Sequence, residues 1–111
     1  MNEFSRSRRL LKKTDYDHVF EHAKKMASPH FTFLYRDNSL GHARLGLALS
    51  KKMIAKAHDR SRIKRLIRET FRVHQHLASI DVIVLAKPRL AHIQNTELRQ
   101  DLEALWFKLS K

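Results

Sequence analysis

One stretch decides the architecture of this chain: RSRIKRLIRETFR, residues 60–72. The side chains that recur on one side at helical spacing are Ile63, Leu66, Ile67, Thr70 and Phe71. The opposite side carries Arg65, Arg68 and Arg72, and the flanks of the apolar stripe carry Arg60, Arg62 and Lys64. The pattern predicts a long amphipathic helix over residues 55–77, which buries its apolar side and turns guanidinium groups outward.

The outward arginines of this helix suit a polyanion. Steps of three and four residues from Arg65 to Arg68 to Arg72 line the guanidinium groups along one helix face, about 5–6 Å apart. A guanidinium is planar and donates two parallel hydrogen bonds to one phosphate. We therefore predict contact with a nucleic-acid backbone, and a merely solvated basic face is the alternative interpretation.

The charge of the whole chain is consistent with that prediction. Its 111 residues hold 23 Lys and Arg against 11 Asp and Glu, a net charge of +12. Residues 51–72 contain nine basic and two acidic residues, whereas residues 81–111 contain five basic and four acidic ones. Such a concentration indicates a binding face for nucleic acid or for an anionic membrane surface.

Composition narrows the class of protein further. The chain has no cysteine, which excludes a disulfide scaffold and thiolate metal sites and fits a reducing cytoplasm. No apolar run approaches the roughly 20 residues of a membrane span, and the N-terminus does not resemble a signal peptide. The length predicts a single domain over residues 1–111, of which residues 1–13 form a flexible basic arm.

The segments around the central helix predict an α+β fold. Helical spacing predicts a first helix over residues 14–25 with Thr14 as its N-cap, and a last helix capped by Asn95 or Thr96. Alternation or apolar runs predict strands at residues 31–35, 44–50 and 81–86. The order of elements predicts helices packed on one small sheet. On the second strand, Gly46, Ala48 and Ser50 form a small-residue face that allows a helix or a ligand to approach closely.

No catalytic constellation is visible among the acids and histidines. His18 and His22 have a spacing that could bind a metal, but Val19 stands where a zinc protease helix needs Glu, so a solvated face is favoured. Glu69 lies among arginines and is predicted to form ion pairs within its helix. The surface interpretation is also favoured for the remaining candidates, which are His74, His76, Glu97, Asp101 and Glu103. The sequence predicts neither a catalytic residue nor a metal site in the protein.

Residues 60–72 resemble the signature of bacterial ribonuclease P proteins, an Arg-Asn-Arg followed by Ile-Lys-Arg-Leu-x-Arg-Glu-x-Phe-Arg. Flanking segments resemble the same family: DYDHVF at 15–20, RLGL at 44–47, SKK at 50–52 and DVIVLAK at 81–87. The one departure in the signature is Ser61, which replaces the usual Asn and loses the two amide donors.

The resemblance implies a fold and an activity. The fold would be a two-layer α-β-β-β-α-β-α sandwich with a small mixed sheet, similar to the second domain of ribosomal protein S5, with a left-handed crossover around the Arg-rich helix. The protein would be the non-catalytic subunit of a ribonucleoprotein endoribonuclease that removes the 5′ leader of precursor tRNA. Its partners would be one catalytic RNA, bound 1:1 by a protein monomer, and the precursor, with Mg²⁺ held mainly by the RNA.

The resemblance also implies two sets of binding residues. The catalytic RNA would contact Arg60, Ser61, Arg62, Lys64, Arg65, Arg68 and Arg72. A cleft between the sheet and the first helix would hold the single-stranded leader with Tyr16, Phe20, Phe33, Lys51, Lys52, Lys56, Lys87 and Arg89. Single-stranded RNA is held by aromatic stacking within a positive groove. Periodicity alone favours a core role for Tyr16 and Phe20, and the resemblance reverses that interpretation.

Other functions remain alternatives at this stage. A generic basic RNA-binding or ribosomal protein would bind many RNAs without preferring a leader. A protein nuclease would cleave RNA without an RNA partner, but no two-metal carboxylate set supports it. A membrane-binding basic helix is disfavoured, because interfacial aromatic residues are few.

Overall fold

The computed structural model describes residues 8–10, 12–74 and 76–110, and within them it has an α+β fold. In chain order the elements are α1 (Lys13–His22), β1 (Lys24–Ala27), β2 (Phe31–Asp37), β3 (Arg44–Ala48), α2 (Ala57–Val73), β4 (Ile80–Ala86) and α3 (Asn95–Lys108). A single 3₁₀ turn, Leu90–His92, joins β4 to α3. This order agrees with the expected α-β-β-β-α-β-α arrangement. None of the helices in these ranges is long and apolar enough to cross a membrane.

The four strands form one mixed sheet in the order β1-β2-β4-β3. β2 pairs with both β1 and β4 in antiparallel orientation, whereas β3 pairs with β4 in parallel. Parallel neighbours require a crossover connection, and the long helix α2 supplies it. The loops at both ends of α2 therefore lie at opposite ends of the sheet.

Several predicted boundaries are wrong by a few residues. The first helix ends at His22, because Ala23 is extended and Lys24 and Lys25 instead pair with β2. Its N-cap is Lys12 rather than Thr14, and the Lys12 N–H donates to the Asp15 carboxylate at 3.3 Å. α2 covers Ala57–Val73 rather than residues 55–77, and the second strand ends at Ala48 rather than at residue 50.

The main core lies between one face of the sheet and the helices α2 and α3. The Trp106 ring lies 4.5 Å from the Phe33 ring and 5.3 Å from the Phe71 ring, measured between centroids. Its indole Nε1–H donates to Thr70 Oγ1 at 2.9 Å, which satisfies the polar atom within the core. The predicted apolar side of α2 is buried completely or nearly so: Ile63, Leu66, Ile67, Thr70 and Phe71.

A second, smaller core lies on the other face of the sheet, beneath α1. Val19 of α1 packs there with Leu10 and Ile83. A Cβ at Gly46 would stand 2.9 Å from Leu10 Cδ1 and from the Tyr16 ring, so only glycine allows these side chains to sit so close. The predicted close approach to the small-residue face of this strand is therefore confirmed.

The predicted flexible arm is wrong for the residues just before α1. Leu10 is buried, and its N–H donates to the Leu45 carbonyl oxygen on the edge strand β3 at 2.9 Å. Arg8 places its guanidinium carbon 5.0 Å from the centroid of the Phe71 ring. Backbone pairing and apolar burial hold residues 8–10 against the sheet, while Lys13 begins α1. Residues 1–7 and 11, the rest of that predicted arm, lie outside the described residues.

Candidate RNA interface

The outer face of α2 forms a shallow basic surface, which we call the α2 face. A depression of about 470 Å³ runs along it and is lined by Ser61, Lys64, Arg65, Arg68, Glu69 and Arg72. Arg65 and Arg68 are exposed, and the opposite side of the same helix lies in the core. The α2 face thus gathers five of the seven residues predicted to contact the catalytic RNA.

Glu69, the acid on the α2 face, reaches across to the neighbouring helix. Its Oε2 lies 3.3 Å from Arg99 Nη2 on α3. The structure therefore links the two helices through this carboxylate, where the sequence predicted an ion pair within α2. Arg99 therefore balances part of the negative charge that Glu69 brings to the α2 face.

Arg60 and Arg62, the other two predicted contacts, point toward the protein's own backbone. Arg60 Nη1 donates to the carbonyl oxygens of Ile54 and Ala55, at 2.9 Å each. Arg62 donates from Nη2 to the Ala91 carbonyl at 3.1 Å and from Nη1 to the Asn95 side chain. Both guanidinium groups are therefore engaged in holding loops. Sequence reasoning missed this, because the acceptors belong to segments whose position only the fold determines.

A groove of about 260 Å³ joins the α2 face to the edge of the sheet. It lies between Arg9 and Leu10 on one side and Lys64 and Arg68 on the other, with Tyr16 in its wall. The Tyr16 hydroxyl oxygen accepts a hydrogen bond from the Leu47 N–H at 3.1 Å. Tyr16 is thus partly buried and fixed in place beside two cationic side chains of α2.

The structure separates the two phenylalanines predicted for the leader cleft. Phe20 is 47% exposed on α1, so its ring is accessible to a base. Phe33 is fully buried against Trp106 in the main core, and the prediction that it lines the cleft is wrong. Alternate residues of a strand point to opposite faces, and it is Leu34 that faces the α1 side of the sheet.

Three of the predicted leader cations meet in a second depression, which we call the cationic pocket. Its volume is about 470 Å³, and Lys52, Lys56 and Arg89 line it together with His58 and His92. Its other lining residues are Met53, Ala55, Asp59 and Ala91. The loops after β3 and β4 carry these cations, since parallel strands end at the same edge of the sheet.

The remaining predicted cations lie outside the cationic pocket. Lys51 is exposed in the loop after β3. Lys87 is half-buried at the end of β4, where its Nζ donates to the Ser28 carbonyl oxygen at 2.5 Å. The structure therefore does not assemble all eight predicted leader residues into one cleft.

The turn between β1 and β2 is fastened to α3 by two carboxylates. Asp101 Oδ2 accepts hydrogen bonds from the Ser28 hydroxyl at 2.7 Å and from the His30 N–H at 3.0 Å. Glu97 Oε2 lies 2.7 Å from His30 Nε2. The interpretation of Asp101 as a purely solvated side chain is wrong, because it satisfies polar groups of this turn.

The described ranges contain no group of three or more His, Cys, Asp or Glu that could hold a metal ion. His18 and His22, whose spacing first suggested one, are both exposed on α1. The α2 face and the cationic pocket present guanidinium and ammonium groups, and Phe20 presents an exposed aromatic ring. This set suits the phosphates and bases of RNA.

Comparison with known proteins identifies the family. The family model described as Ribonuclease P matches residues 4–110. The ribonuclease P protein component of Legionella pneumophila is 57% identical over 110 residues, which cover 99% of this chain and 96% of the relative. That of Thioalkalivibrio sulfidiphilus is 50% identical over 108 residues, which cover 96% and 90%.

Solved structures agree with the sequence comparison. The ribonuclease P protein of Staphylococcus aureus superposes with a TM-score of 0.83 at 31% identity, covering 91% of this chain and 93% of its own. That of Thermotoga maritima gives a TM-score of 0.81 at 26% identity, covering 93% and 98%. The chain therefore belongs to the ribonuclease P protein family, the non-catalytic protein subunits of the ribonucleoprotein that matures the 5′ ends of tRNAs.

Proposed function

We propose that this subunit binds the catalytic RNA through the α2 face, by Ser61, Lys64, Arg65, Arg68 and Arg72. The single observation that carries the proposal is that one helix buries its entire apolar side while its outer side lines a basic depression. Such a face presents several forked donors to a phosphate backbone at once. Neutralising phosphates releases counterions, so the contact would provide affinity without reading sequence.

The 5′ leader is the second RNA in the proposal. Phe20 offers an exposed ring for base stacking, and Tyr16 stands fixed beside the groove that leads to Lys64 and Arg68. The cationic pocket and Lys51 would extend the positive path for the leader backbone. A stacking ring beside a positive groove is how proteins hold single-stranded RNA without strong sequence preference.

Further features of the assembly belong to the same proposal. The catalytic RNA holds most of the Mg²⁺ ions, and the described residues of the protein contain no group of three or more His, Cys, Asp or Glu that fits a metal ion. One protein monomer acts with one RNA in the cytoplasm. The crossover through α2 is left-handed, against the usual preference, and the fold is similar to the second domain of ribosomal protein S5.

Cleavage of a precursor tRNA at low Mg²⁺ tests this function. Catalytic RNA alone, protein alone and the two together are compared on the same precursor. Activity that requires both supports the proposal. Cleavage by the protein alone would make it a nuclease, and no effect on the catalytic RNA would leave a generic RNA-binding protein.

The salt dependence of binding tests the α2 face. The association constant for the catalytic RNA falls as the salt concentration rises, and the steepness of this fall on a log–log plot counts the phosphate contacts. We expect each of Lys64→Ala, Arg65→Ala and Arg68→Ala to reduce the steepness by about 0.7–0.9, the contribution of one phosphate contact. Lys108→Ala is the matched control, since it removes a cation from the exposed side of α3. Equal slopes for the α2 variants and the control would contradict an interface on α2.

A further inference from the structure

We propose that Arg36 is a positioning residue for leader binding, which holds the second half of α1 to strand β2 so that the Phe20 ring lies where a leader base can stack on it. The inference rests on the proposed function, in which Phe20 is the exposed stacking ring. It gives a role to a cation outside both predicted sets of binding residues. Three observations carry it: the sparse apolar anchoring of α1, the hydrogen bond from Arg36 to this helix, and the exposure of Phe20.

The helix α1 is short and buries little of its surface. It has ten residues, and an isolated helix of fewer than about 12–15 residues is marginal in water, so it depends on tertiary contacts. Its buried residue is Val19, which packs with Leu10 and Ile83 in the second core, and Tyr16 adds a partly buried ring. Such a small apolar contact constrains the orientation of a helix only weakly. Polar contacts with the sheet therefore decide how α1 lies upon it.

Two polar contacts hold the first half of α1 to strand β3. The Tyr16 hydroxyl oxygen accepts a hydrogen bond from the Leu47 N–H at 3.1 Å. Asp15 Oδ1 lies 3.7 Å from Arg44 Nη2, in an ion pair between the helix and the same strand. Both contacts lie in the first turn of the helix. The half that carries Phe20 is held from a different strand.

Arg36 of β2 holds the second half of α1. Its Nη1 donates to the His18 carbonyl oxygen at 2.8 Å. Arg36 points toward the helix because residues two apart on a strand share a face, and Leu34 lies on the face beneath α1. His18 stands one turn before the last residue, His22, and the C-terminal end of a helix carries partial negative charge. The guanidinium therefore adds an attraction between charge and helix dipole to the hydrogen bond.

Phe20 lies two residues beyond the carbonyl that Arg36 holds. Its side chain is nearly half exposed, so the backbone of α1 sets the location of the ring more than side-chain packing does. Groups that bind a ligand must be held within about 0.5 Å of the productive geometry. A tether on the adjacent turn therefore acts on leader binding through Phe20.

The alternative role for Arg36 is direct contact with a leader phosphate. Arg36 is partly buried, and a guanidinium that turned to a phosphate would release the His18 carbonyl and with it the end of α1. Lys25 has the geometry of a contact residue instead. It is exposed, and it shares the sheet face of Arg36 because it pairs with Leu34 in the register of β1 and β2. Lys25 is therefore the matched cation for a contact role.

A double-mutant cycle on the assembled holoenzyme tests the proposal, with Arg36→Ala, Phe20→Ala and both together. Holoenzyme affinity is measured for a precursor tRNA and for the mature tRNA that differs from it only in lacking the leader, so their ratio isolates the leader. Affinity for the catalytic RNA and Tm are measured on the same variants, which separates positioning from a loss of folding. Arg36→Met, which keeps the apolar stem and removes the donor, repeats the cycle if Arg36→Ala lowers Tm.

We expect Arg36→Ala to weaken the leader-dependent affinity about three- to tenfold in the wild type and less than about twofold in a chain that already carries Phe20→Ala. The reason is that a residue that only positions has nothing left to place once the ring is gone. Arg36→Lys should recover part of the loss, since an ammonium also donates to a carbonyl oxygen. Lys25→Ala is the control, and its effect should be the same with and without Phe20→Ala. Affinity for the catalytic RNA should stay within about twofold of the wild type for the Arg36 variants.

Three outcomes would count against the inference. A loss at Arg36 that is equally large with and without Phe20→Ala would make Arg36 a phosphate contact. A loss that is equal for precursor and mature tRNA, together with a fall in Tm and in catalytic-RNA affinity, would make its role purely structural. A wild-type holoenzyme that binds precursor and mature tRNA equally would instead overturn the proposed leader function itself.

Discussion

Arg44 and Asp81 form a bidentate ion pair across the parallel strands β3 and β4. Arg44 Nε lies 2.8 Å from Asp81 Oδ1, and Nη2 lies 2.7 Å from Oδ2. Asp81 is 3% exposed, and Asn38 Nδ2 donates a third hydrogen bond to Oδ1 at 2.8 Å. This ion pair fastens the edge strand β3, which carries Gly46 and accepts a backbone hydrogen bond from Leu10. It therefore supports the surface that forms the groove beside α2.

Removing the carboxylate of this pair should destabilise the fold strongly. Asp81→Ala leaves the Arg44 guanidinium partly buried without its main partner, and we expect a loss of about 3–5 kcal/mol in the free energy of unfolding. Asp37→Ala, at the exposed end of β2, is the control and should cost less than about 0.5 kcal/mol. Urea unfolding monitored by circular dichroism measures both, and equal midpoints would contradict a structural role for the pair.

The same pair predicts how stability depends on pH. Burial acts to raise the pKa of Asp81, but hydrogen bonds from Arg44 and Asn38 together outweigh it, and the pKa lies below its ordinary value of 3.8. A group whose pKa is lower in the folded state adds stability above the unfolded pKa and loses it as pH falls through the folded one. We expect the stability difference between wild type and Asp81→Asn to be constant from about pH 7 to about pH 5 and to shrink below about pH 4. A difference that persists unchanged at about pH 2 would contradict the shifted pKa.

A methyl group at Gly46 should disturb the second core. Gly46→Ala forces Leu10 and Tyr16 away from β3, and we expect it to cost about 1–3 kcal/mol, as overpacking does. Differential scanning calorimetry measures the change. In a chain that already carries Leu10→Ala, the change Gly46→Ala should cost less stability than it does in the wild type, because one of the two clashes is gone. Full additivity of the two changes would speak against the close contact.

Substitutions at Phe20 and Phe33 should affect different properties: leader binding at Phe20 and stability of the fold at Phe33. We expect Phe20→Ala to weaken leader binding about 5- to 150-fold, the loss of one stacked base, with little change in Tm. Phe33→Leu should instead lower the free energy of unfolding by about 1 kcal/mol and leave leader affinity unchanged. Fluorescence anisotropy with a labelled precursor, together with thermal unfolding, provides both readouts. A leader-specific loss in Phe33→Leu would place Phe33 in the leader cleft after all.

Much of the fold followed from periodicity. The apolar stripe of α2 was predicted residue by residue, because burial on one side of a helix leaves a repeating pattern in the sequence. The small-residue face at Gly46 likewise indicated a close approach. The end of α1 was missed, since Lys24 and Lys25 suit a helix C-terminus and become strand residues only by pairing with β2.

The site was predictable in part. The family signature predicted which residues contact RNA, but it could not predict which way each side chain points. Phe33 fell on the wrong face by one residue, and a strand side chain changes face at every step. Asp101 and the turn at Ser28 lie far apart in the sequence, and no local signal joins them.

For this protein, the sequence by itself determined the helix that bears the basic face, three of the four strands, the charge and the family, because these depend on local spacing and composition. Only the tertiary structure decided that Arg60 and Arg62 hold two loops, that Lys52, Lys56 and Arg89 share one pocket, and that Phe33 belongs to the core. The physical reason is that hydrogen-bond partners and buried neighbours come from segments distant in the chain. These segments meet only when the sheet forms and the helices pack upon it.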